Sequence, residues 1–198
     1  MMHAPDNMTS VGMVLEPSAF LQKFCSTIAA SSCGKPILDV ACGSGRNALP
    51  LAELGCTVIC MDKDVAQIEI VRDSLRNTPF SGLSERLTPQ SVDLNIASQW
   101  RFGPGTIGGI INIHFLAIGL IPLFHSSLIP GGYLLIETVP GHGGNYLQLP
   151  KSGELRTILT ARFELKFYKE HKAGPPGVDA VTVKAFARKS HCERVLEF

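Results

Sequence analysis

Residues 37 to 48 constrain the fold of this chain more than any other segment. They read Ile-Leu-Asp-Val-Ala-Cys-Gly-Ser-Gly-Arg-Asn-Ala. The first three residues predict the end of a short buried strand, Gly43 and Gly45 predict a tight turn, and apolar residues at helical spacing follow. A strand, a glycine-rich turn and a helix bring backbone N–H groups and a positive helix N-terminus against a nucleotide-like ligand. The segment therefore predicts a binding site for such a ligand in an α/β fold.

The chemistry around the turn indicates which ligand it binds. Residues 43 to 48, Gly-Ser-Gly-Arg-Asn-Ala, fit the pattern G-x-G-x-x-G/A of dinucleotide-binding folds, so NAD is one interpretation. Asp39, four residues before Gly43, favours another, because a carboxylate beside the turn repels a pyrophosphate. The same carboxylate suits a ligand that carries an ammonium and a sulfonium group.

The residues Asp39-x-Ala41-x-Gly43-x-Gly45 resemble the first motif of class I S-adenosylmethionine-dependent methyltransferases, D/E-x-G-x-G-x-G, with Ala41 in the place of the first glycine. Within this class, segments between residues 16 and 188 resemble the bacterial tellurite-resistance-type (TehB-like) small-molecule methyltransferases. These segments include Glu16-Pro17-Ser18 and the run from Pro130 to Thr138. The resemblance implies a cytoplasmic methyltransferase whose cofactor is S-adenosyl-L-methionine and whose acceptor is small.

The order of the predicted elements defines a fold class. Strands and helices alternate along most of the chain, and the last two strands form a hairpin, because residues 173–177 are too few for a helical crossover. This order predicts an α/β, doubly wound, mostly parallel seven-stranded sheet with one antiparallel strand, the Rossmann-like class I methyltransferase fold. The predicted strands are 36–39, 57–61, 87–92, 107–113, 133–136, 163–170 and 178–187; the predicted helices are 18–30, 49–54, 65–75, 118–128 and 153–160, with a turn at 130–132 and a loop at 139–150.

The domain organisation expected from this pattern is simple. Residues 1–16 are mixed in composition and predict a flexible N-terminal arm. Residues 17–198 predict a single S-adenosylmethionine-binding methyltransferase domain.

Polar residues at the carboxyl ends of the strands are candidates for ligand binding, because open α/β sheets bind ligands there. Asp62 ends the second strand, where its carboxylate can accept hydrogen bonds from both ribose hydroxyls; a surface acid is the alternative. Asp93 ends the third strand and resembles the family's acceptor for the adenine amino group, with the backbone N–H of Leu94 reaching the ring. A helix cap is the alternative for Asp93.

Two further residues are candidates for contact with the reacting groups. Arg46 opens the helix after the turn, where its forked donors can hold the carboxylate of the methionine moiety. His114 follows the fourth strand, where methyltransferases place groups that meet the acceptor, and it is the predicted catalytic residue; a core histidine is the alternative. No metal site is predicted. The predicted cofactor-binding residues are Asp39, Ala41, Gly43, Ser44, Gly45, Arg46, Asp62, Lys63, Asp93, Leu94 and Ile113.

Composition excludes several other classes of protein. The formal net charge of +1 offers no electrostatic basis for binding nucleic acid. Six cysteines without a C-x-x-C pair predict buried thiols in a reducing compartment, the cytoplasm. The uncharged run from Ile107 to Phe124 approaches the length of a membrane span, but its glycines and its proline favour a buried strand followed by a helix.

Two functions of different kinds are compatible with these patterns. The first is S-adenosylmethionine-dependent methyl transfer to a small-molecule acceptor, such as a thiol, a metalloid oxyanion or an amine. The second is a non-catalytic S-adenosylmethionine-binding module or subunit that works through a partner. An NAD-binding Rossmann protein is a minor alternative.

Overall fold

The computed structural model describes residues 16–76, 81–116, 118–141 and 143–190. The predicted N-terminal arm, apart from Glu16, therefore lies outside the described residues. The elements in chain order are α1 (Ala19–Ser31), β1 (Ile37–Val40), α2 (Leu49–Glu53), β2 (Val58–Asp62), α3 (Ala66–Arg76), α4 (Ser81–Ser84), β3 (Leu87–Ser91), β4 (Ile107–Ile113), α5 (Ile121–Ser127), β5 (Leu128–Glu137), α6 (Glu154–Thr160), β6 (Glu164–Ala173) and β7 (Ala180–Arg188).

The strands form one seven-stranded sheet in the order β3-β2-β1-β4-β5-β7-β6. The first five strands in this order pair in parallel, and β7 runs antiparallel to both β5 and β6. The predicted α/β fold class, with one antiparallel strand, is therefore confirmed. The order reverses at β1, with β2 on one side and β4 on the other, so the carboxyl end of β1 lies at the switch point where such sheets bind ligands.

Both faces of the sheet are covered, and alternate residues of β1 enter opposite cores. Leu38 and Val40 join one apolar cluster, which α5 and α6 cover through residues such as Phe124 and Leu155. Ile37 joins the other cluster, which α1, α2 and α3 cover. Every residue of β1 is buried, as expected for the central strand of a doubly wound sheet. Asp39 has Cys60 and Ile111 as register partners and therefore shares the face of the second cluster.

Ser18 begins α1 in the way the sequence predicts. Its side-chain oxygen accepts hydrogen bonds from the backbone N–H groups of Phe20 and Leu21, at 3.1 and 3.3 Å. Such a cap satisfies donors that the first turn of a helix leaves unpaired. Gly55 follows α2 with a φ of 89°, which agrees with its predicted place after a helix.

Two local predictions are wrong. Pro130, Gly131 and Gly132 do not precede the fifth strand as predicted, because β5 begins at Leu128. They lie at an irregularity in its pairing with β4, where Gly131 has a φ of 84°. A Cβ on Gly132 would lie 2.8 Å from the carbonyl oxygen of Gly108 on β4, so this glycine allows two strands to approach closely. The segment 139–150, predicted as a loop, contains a 3₁₀ helix over Gly143–Gln148.

Candidate functional site at the carboxyl ends of the strands

The turn after β1 uses three residues in the left-handed region of φ. Ala41, Gly43 and Gly45 have φ values of 59°, 53° and 76°. The two glycines serve different purposes. A Cβ on Gly45 would lie 2.1 Å from Cδ1 of Ile68 on α3, whereas a Cβ on Gly43 would meet no atom within 4 Å. Gly45 therefore lets α3 pack against the turn, and Gly43 leaves open space on the outside of the turn.

Asp62 connects the carboxyl end of β2 to this turn. Its Oδ2 accepts a hydrogen bond from the backbone N–H of Gly43 at 3.0 Å, and its Oδ1 accepts from the N–H of Asp64 at 3.2 Å. The structure therefore brings together two of the predicted cofactor-binding residues, Asp62 and Gly43. The neighbouring Lys63 is exposed, and Ser44 in the turn is half-buried.

Asp39 lies beneath the turn, and only 1% of its surface is exposed. Among the described residues, no group makes a hydrogen bond to its Oδ2. Burial raises the pKa of Asp39 to about 7; the nearby guanidinium of Arg46 opposes this rise and the carboxylate of Asp62 adds to it. A buried carboxyl group without a hydrogen-bond partner is costly, so Asp39 is poised for a donor or a positive charge that approaches from the turn.

Asp93 and Leu94 follow β3, on the same edge of the sheet as Asp62. The Oδ1 of Asp93 accepts from the backbone N–H and the side-chain amide of Asn95, both at 3.0 Å. The backbone N–H of Asp93 donates to Oε1 of Gln99 at 2.8 Å. One carboxylate oxygen thus organises the turn after β3. The helix-cap alternative is wrong, because the next helical turn begins only at Ala97 and no side chain caps it.

His114 follows the buried Ile113 and does not lie in the core. It is exposed, and its φ of 61° is in the left-handed region, where a non-glycine residue is strained. A 2.7 Å hydrogen bond from its backbone N–H to the carbonyl oxygen of Glu137 holds this conformation. The core-histidine alternative is therefore wrong.

Arg46 lies against the ring of His114. Its Nη2 is 3.3 Å from Nδ1 of His114, and its Nη1 donates to the backbone oxygen of Glu16 at 2.7 Å. Burial lowers the pKa of His114, and the cations Arg46 and Lys184 lower it further, whereas the Glu137 carboxylate opposes them. Arg46 lies in the turn and does not open the helix as predicted, because α2 begins only at Leu49. The turn after β1 and the end of β4 are therefore in direct contact through these two side chains.

Glu137 organises a network that sequence reasoning did not find. Its carboxylate accepts a hydrogen bond from the hydroxyl of Ser18 and forms a 2.8 Å ion pair with Lys184 on β7. The backbone N–H of Ser18 also donates to Oδ1 of Asn47 at 3.0 Å. Glu137 directly follows the predicted strand 133–136, but its separation of 119 residues from Ser18 leaves no sequence signal for the pair.

A cavity of about 300 Å³ opens beyond the carboxyl ends of β4 and β5. It lies at the lower end of the range of about 300–1,000 Å³ for small-molecule sites. Among the described residues that line it, none is an acid, a lysine or an arginine. They are His114, Phe115, Leu116, Thr138, Val139 and Gln148.

Within residues 16–76, 81–116, 118–141 and 143–190, no three His, Cys, Asp or Glu side chains come close enough to hold a metal ion together. No helix within the same ranges is both long and apolar enough to cross a bilayer.

The described residues fit the cofactor that the first motif implies. S-adenosylmethionine carries an ammonium and a sulfonium group, a carboxylate, a ribose and an adenine. The edge of the sheet supplies the carboxylates of Asp39, Asp62 and Asp93, a forked cation in Arg46, and open space beside Gly43. The unpartnered Oδ2 of Asp39 is the observation that agrees best with a cationic ligand at the turn.

Comparisons with known proteins agree with this geometry. Residues 37–116 match the family model described as a methyltransferase domain. This match spans β1 to the end of β4 and includes every predicted cofactor-binding residue. A search of curated proteins finds no match to this chain.

Solved structures share the fold. The chain is 17% identical to 1,6-didemethyltoxoflavin-N1-methyltransferase from Burkholderia thailandensis, with a TM-score of 0.57 over 87% of this chain and 79% of that one. It is 19% identical to TehB from Haemophilus influenzae, with a TM-score of 0.60 over 85% and 62%. It is also 18% identical to the [4+2]-cyclase SpnF, with a TM-score of 0.62 over 85% and 80%.

Residues 37–116 therefore resemble a methyltransferase domain, and the chain shares the fold of solved structures that include an S-adenosylmethionine-dependent methyltransferase from Methanosarcina mazei. The cyclase among the structural neighbours indicates that the fold alone does not define the reaction or the substrate. The reaction and the substrate depend on the residues of the site.

Proposed function

We propose that the chain binds S-adenosylmethionine at the turn after β1 and transfers its methyl group to a small, uncharged acceptor in the cavity beyond β4 and β5. The observation that carries this proposal is the position of His114. It lines the cavity and also lies 3.3 Å from Arg46, which lies in the turn. The cavity and the turn are therefore adjacent, as methyl transfer between two bound molecules requires.

The predicted cofactor-binding residues take complementary roles in this proposal. Asp62 holds the ribose hydroxyls, and Asp93 with the N–H of Leu94 holds the adenine. Arg46 holds the carboxylate of the methionine moiety. The remaining predicted residues are expected to contact the cofactor from the turn and from the ends of β1, β2 and β4: Asp39, Ala41, Gly43, Ser44, Gly45, Lys63 and Ile113.

The lining of the cavity supports an uncharged acceptor. Its described side chains are apolar, apart from His114, Thr138 and Gln148. A metalloid oxyanion or a protonated amine would lose its hydration in such a cavity without gaining an opposite charge, and this loss is costly. A neutral thiol, hydroxyl or ring N–H group has hydrogen-bond partners there and apolar walls for its carbon skeleton. Of the acceptor classes that the sequence left open, we therefore favour the neutral thiol.

When bound, the cofactor supplies a methyl group that its sulfonium already activates for displacement. The protein then contributes mainly by positioning the acceptor. The cavity orients the acceptor and excludes water, and His114 offers its ring to the proton of the acceptor group. The five described cysteines form no disulfide, which supports the cytoplasm as the compartment. We further propose that residues 17–198 form a single domain. The proposed partner is a small-molecule acceptor and not a nucleic acid.

A screen with methyl-labelled S-adenosylmethionine tests the acceptor class. Neutral thiols, phenols and ring N–H compounds are compared with selenite, tellurite and small amines at equal concentration. We expect label in one or more neutral acceptors and little in the oxyanions or amines. Label only in oxyanions or amines would contradict the proposed acceptor class. Cofactor binding without transfer to any acceptor would favour a non-catalytic binding module.

A pair of histidine variants tests the catalytic role on the acceptor that the screen finds. His114→Ala should retain cofactor affinity within about twofold and lower turnover by roughly 10²- to 10⁴-fold if the ring accepts a proton. His171→Ala is the matched control, because His171 is exposed on the edge strand β6. Equal turnover of the two variants would remove His114 from the mechanism.

A further inference from the structure

The contact between Arg46 and His114 fixes which ring nitrogen carries the proton. A guanidinium can only donate, so Nδ1 of His114, 3.3 Å from Nη2, acts as the acceptor and carries no proton. The neutral ring then has its proton on Nε2. His114 can then donate a hydrogen bond only through Nε2, and its basic lone pair on Nδ1 is covered by Arg46.

Both partners of Arg46 in this structure are neutral. They are the ring nitrogen of His114 and the backbone oxygen of Glu16. Bonds from a guanidinium to a carboxylate are shorter and roughly twice as strong as neutral ones, and they are frequently bidentate. Asp39 lies beneath the turn, and burial raises its pKa to about 7. Below this pH it is mostly uncharged, so it attracts Arg46 less strongly than an ionised ligand carboxylate does. A ligand carboxylate beside the turn would thus draw the guanidinium away from both neutral partners.

The ring of His114 cannot follow Arg46 freely. Its backbone lies in the left-handed region at a φ of 61°, and its N–H is bonded to the carbonyl oxygen of Glu137 at 2.7 Å. This anchor keeps the ring at the end of β4 when the guanidinium moves. Departure of Arg46 therefore exposes the lone pair of Nδ1 and removes a cation from its vicinity.

We propose that Arg46 couples cofactor binding to the basicity of His114: the guanidinium caps Nδ1 until the carboxylate of a bound cofactor recruits it. The inference rests on the proposed function. In the transfer step, the proton of the acceptor group moves to Nδ1 and gives an imidazolium. The acceptor atom forms its bond to the methyl carbon as the carbon–sulfur bond breaks, and the imidazolium later returns the proton to water. Arg46 is a positioning residue, since it acts on the acceptor only through His114.

This coupling has a functional consequence. If Nδ1 of His114 were not capped, the imidazole would be basic before the cofactor binds. A bound acceptor could then be deprotonated when no methyl donor is present. The capped form avoids this because Nδ1 becomes available only with the cofactor in place. The charged groups that face the ring are Glu137 on β5, Lys184 on β7 and Arg46 in the turn. Of these, only Arg46 is expected to contact the cofactor.

Nitrogen-15 NMR of the full chain tests the coupling, with S-adenosylhomocysteine as the probe because it lacks the sulfonium charge. The spectrum of His114→Asn identifies the His114 signals. In the free protein we expect the Nε2–H tautomer and a titration midpoint below 6.5. With saturating S-adenosylhomocysteine, the titration midpoint of His114 should rise, because a cation has left contact distance.

Two variants separate the coupling from a general change in the site. In Arg46→Ala, the titration midpoint of His114 should already be raised in the absence of ligand. Saturation of this variant with S-adenosylhomocysteine should not raise it further. Lys184→Met removes the other cation near His114, so it should raise both midpoints and preserve the difference between them. Calorimetry on the same samples reports whether the ligand binds.

The possible results distinguish the inference from the proposal on which it rests. Binding of S-adenosylhomocysteine to the wild type without a change in the His114 midpoint or tautomer would overturn the coupling and leave the proposed function intact. Absence of binding would overturn both. A midpoint that rises equally in the wild type and in Arg46→Ala would assign the change to another group and would also overturn the coupling.

Discussion

The carboxylate of Asp62 accepts a hydrogen bond from the backbone N–H of Gly43, 3.0 Å away. This bond connects the end of β2 to the turn after β1, across the position that the ribose of a bound cofactor occupies in the proposal. The two carboxylate oxygens of Asp62 together accept from Gly43 and Asp64, so the group that is proposed to bind the ribose also supports the turn.

Replacing Asp62 should therefore affect both binding and stability. In Asp62→Ala, affinity for S-adenosylhomocysteine should fall at least about tenfold, because a hydrogen bond to a charged group contributes roughly 1.5–3 kcal/mol. The melting temperature should fall as well, because two backbone N–H groups lose their acceptor. Calorimetry and thermal unfolding measure the two effects.

Asp179 offers a matched control for this variant. Its Oδ1 accepts from the backbone N–H of Ser152 at 3.1 Å, away from the candidate site. Asp179→Ala should lower stability through the same kind of loss and leave affinity unchanged. Unchanged affinity in Asp62→Ala would place the ribose elsewhere.

The two glycines of the turn should respond differently to a methyl group. Gly45→Ala places Cβ 2.1 Å from Cδ1 of Ile68, so we expect a loss of stability of several kcal/mol or no folding. Gly43→Ala meets open space and costs only about 1–2 kcal/mol for its positive φ. Its methyl group projects from the outside of the turn, so it should weaken cofactor binding while the protein still folds. If Gly43→Ala binds S-adenosylhomocysteine as tightly as the wild type, the cofactor does not lie against this turn.

Asp39 should make the ligand-free protein less stable as the pH rises. Its pKa is raised from an ordinary value of 3.8 to about 7, so the folded protein retains a proton that the unfolded chain has lost between these values. The free energy of unfolding should therefore fall from about pH 4 to pH 7, by at most about 4 kcal/mol at 1.36 kcal/mol per pH unit.

The variant Asp39→Asn should remove this dependence. Denaturant unfolding near pH 4 should give similar stabilities for the wild type and the variant, and at pH 8 the variant should be the more stable. Asp179→Asn, which changes an exposed acid, serves as the control. A pH profile for Asp39→Asn that parallels the wild type would assign the dependence to other groups.

Ser18 and Glu137 should be energetically coupled. Ser18→Ala removes a helix cap and a hydrogen bond to a buried carboxylate, and Glu137→Ala removes the acceptor for both Ser18 and Lys184. We expect each variant to lose about 1–3 kcal/mol. In the double variant the losses should fall short of their sum by more than 0.5 kcal/mol, as contacting residues show. Additive losses in denaturant unfolding would mean that this hydrogen bond contributes little.

The fold was predictable because its signals are local. The glycine turn, the apolar run of β4 and the short connection between β6 and β7 each specify their own element, and the alternation of elements specifies the sheet. The turn predicted at Pro130 to Gly132 is instead an irregularity within β5, where Gly131 has a φ of 84° and Gly132 allows the close approach of β4. Nothing in the local sequence distinguishes that use of glycine from a turn.

The candidate site was predictable only in part. Strand ends identified Asp39, Asp62, Asp93 and His114 as polar residues at one edge of the sheet. The contacts that set their chemistry join distant segments, such as Arg46 with His114 and Ser18 with Glu137. The burial of Asp39 also depends on how the helices cover the sheet. Such pairings depend on the packed structure, and a single sequence carries no local pattern for them.

Isothermal titration calorimetry with S-adenosylhomocysteine, S-adenosylmethionine and NAD tests whether the turn after β1 holds S-adenosylmethionine. We expect each of the two S-adenosyl ligands to bind at one site per chain, with weaker binding in Asp62→Ala and in Gly43→Ala. We expect no heat of binding with NAD at the same concentration. Preferential binding of NAD, or no binding of either S-adenosyl ligand by the folded protein, would contradict the claim that the turn after β1 holds S-adenosylmethionine.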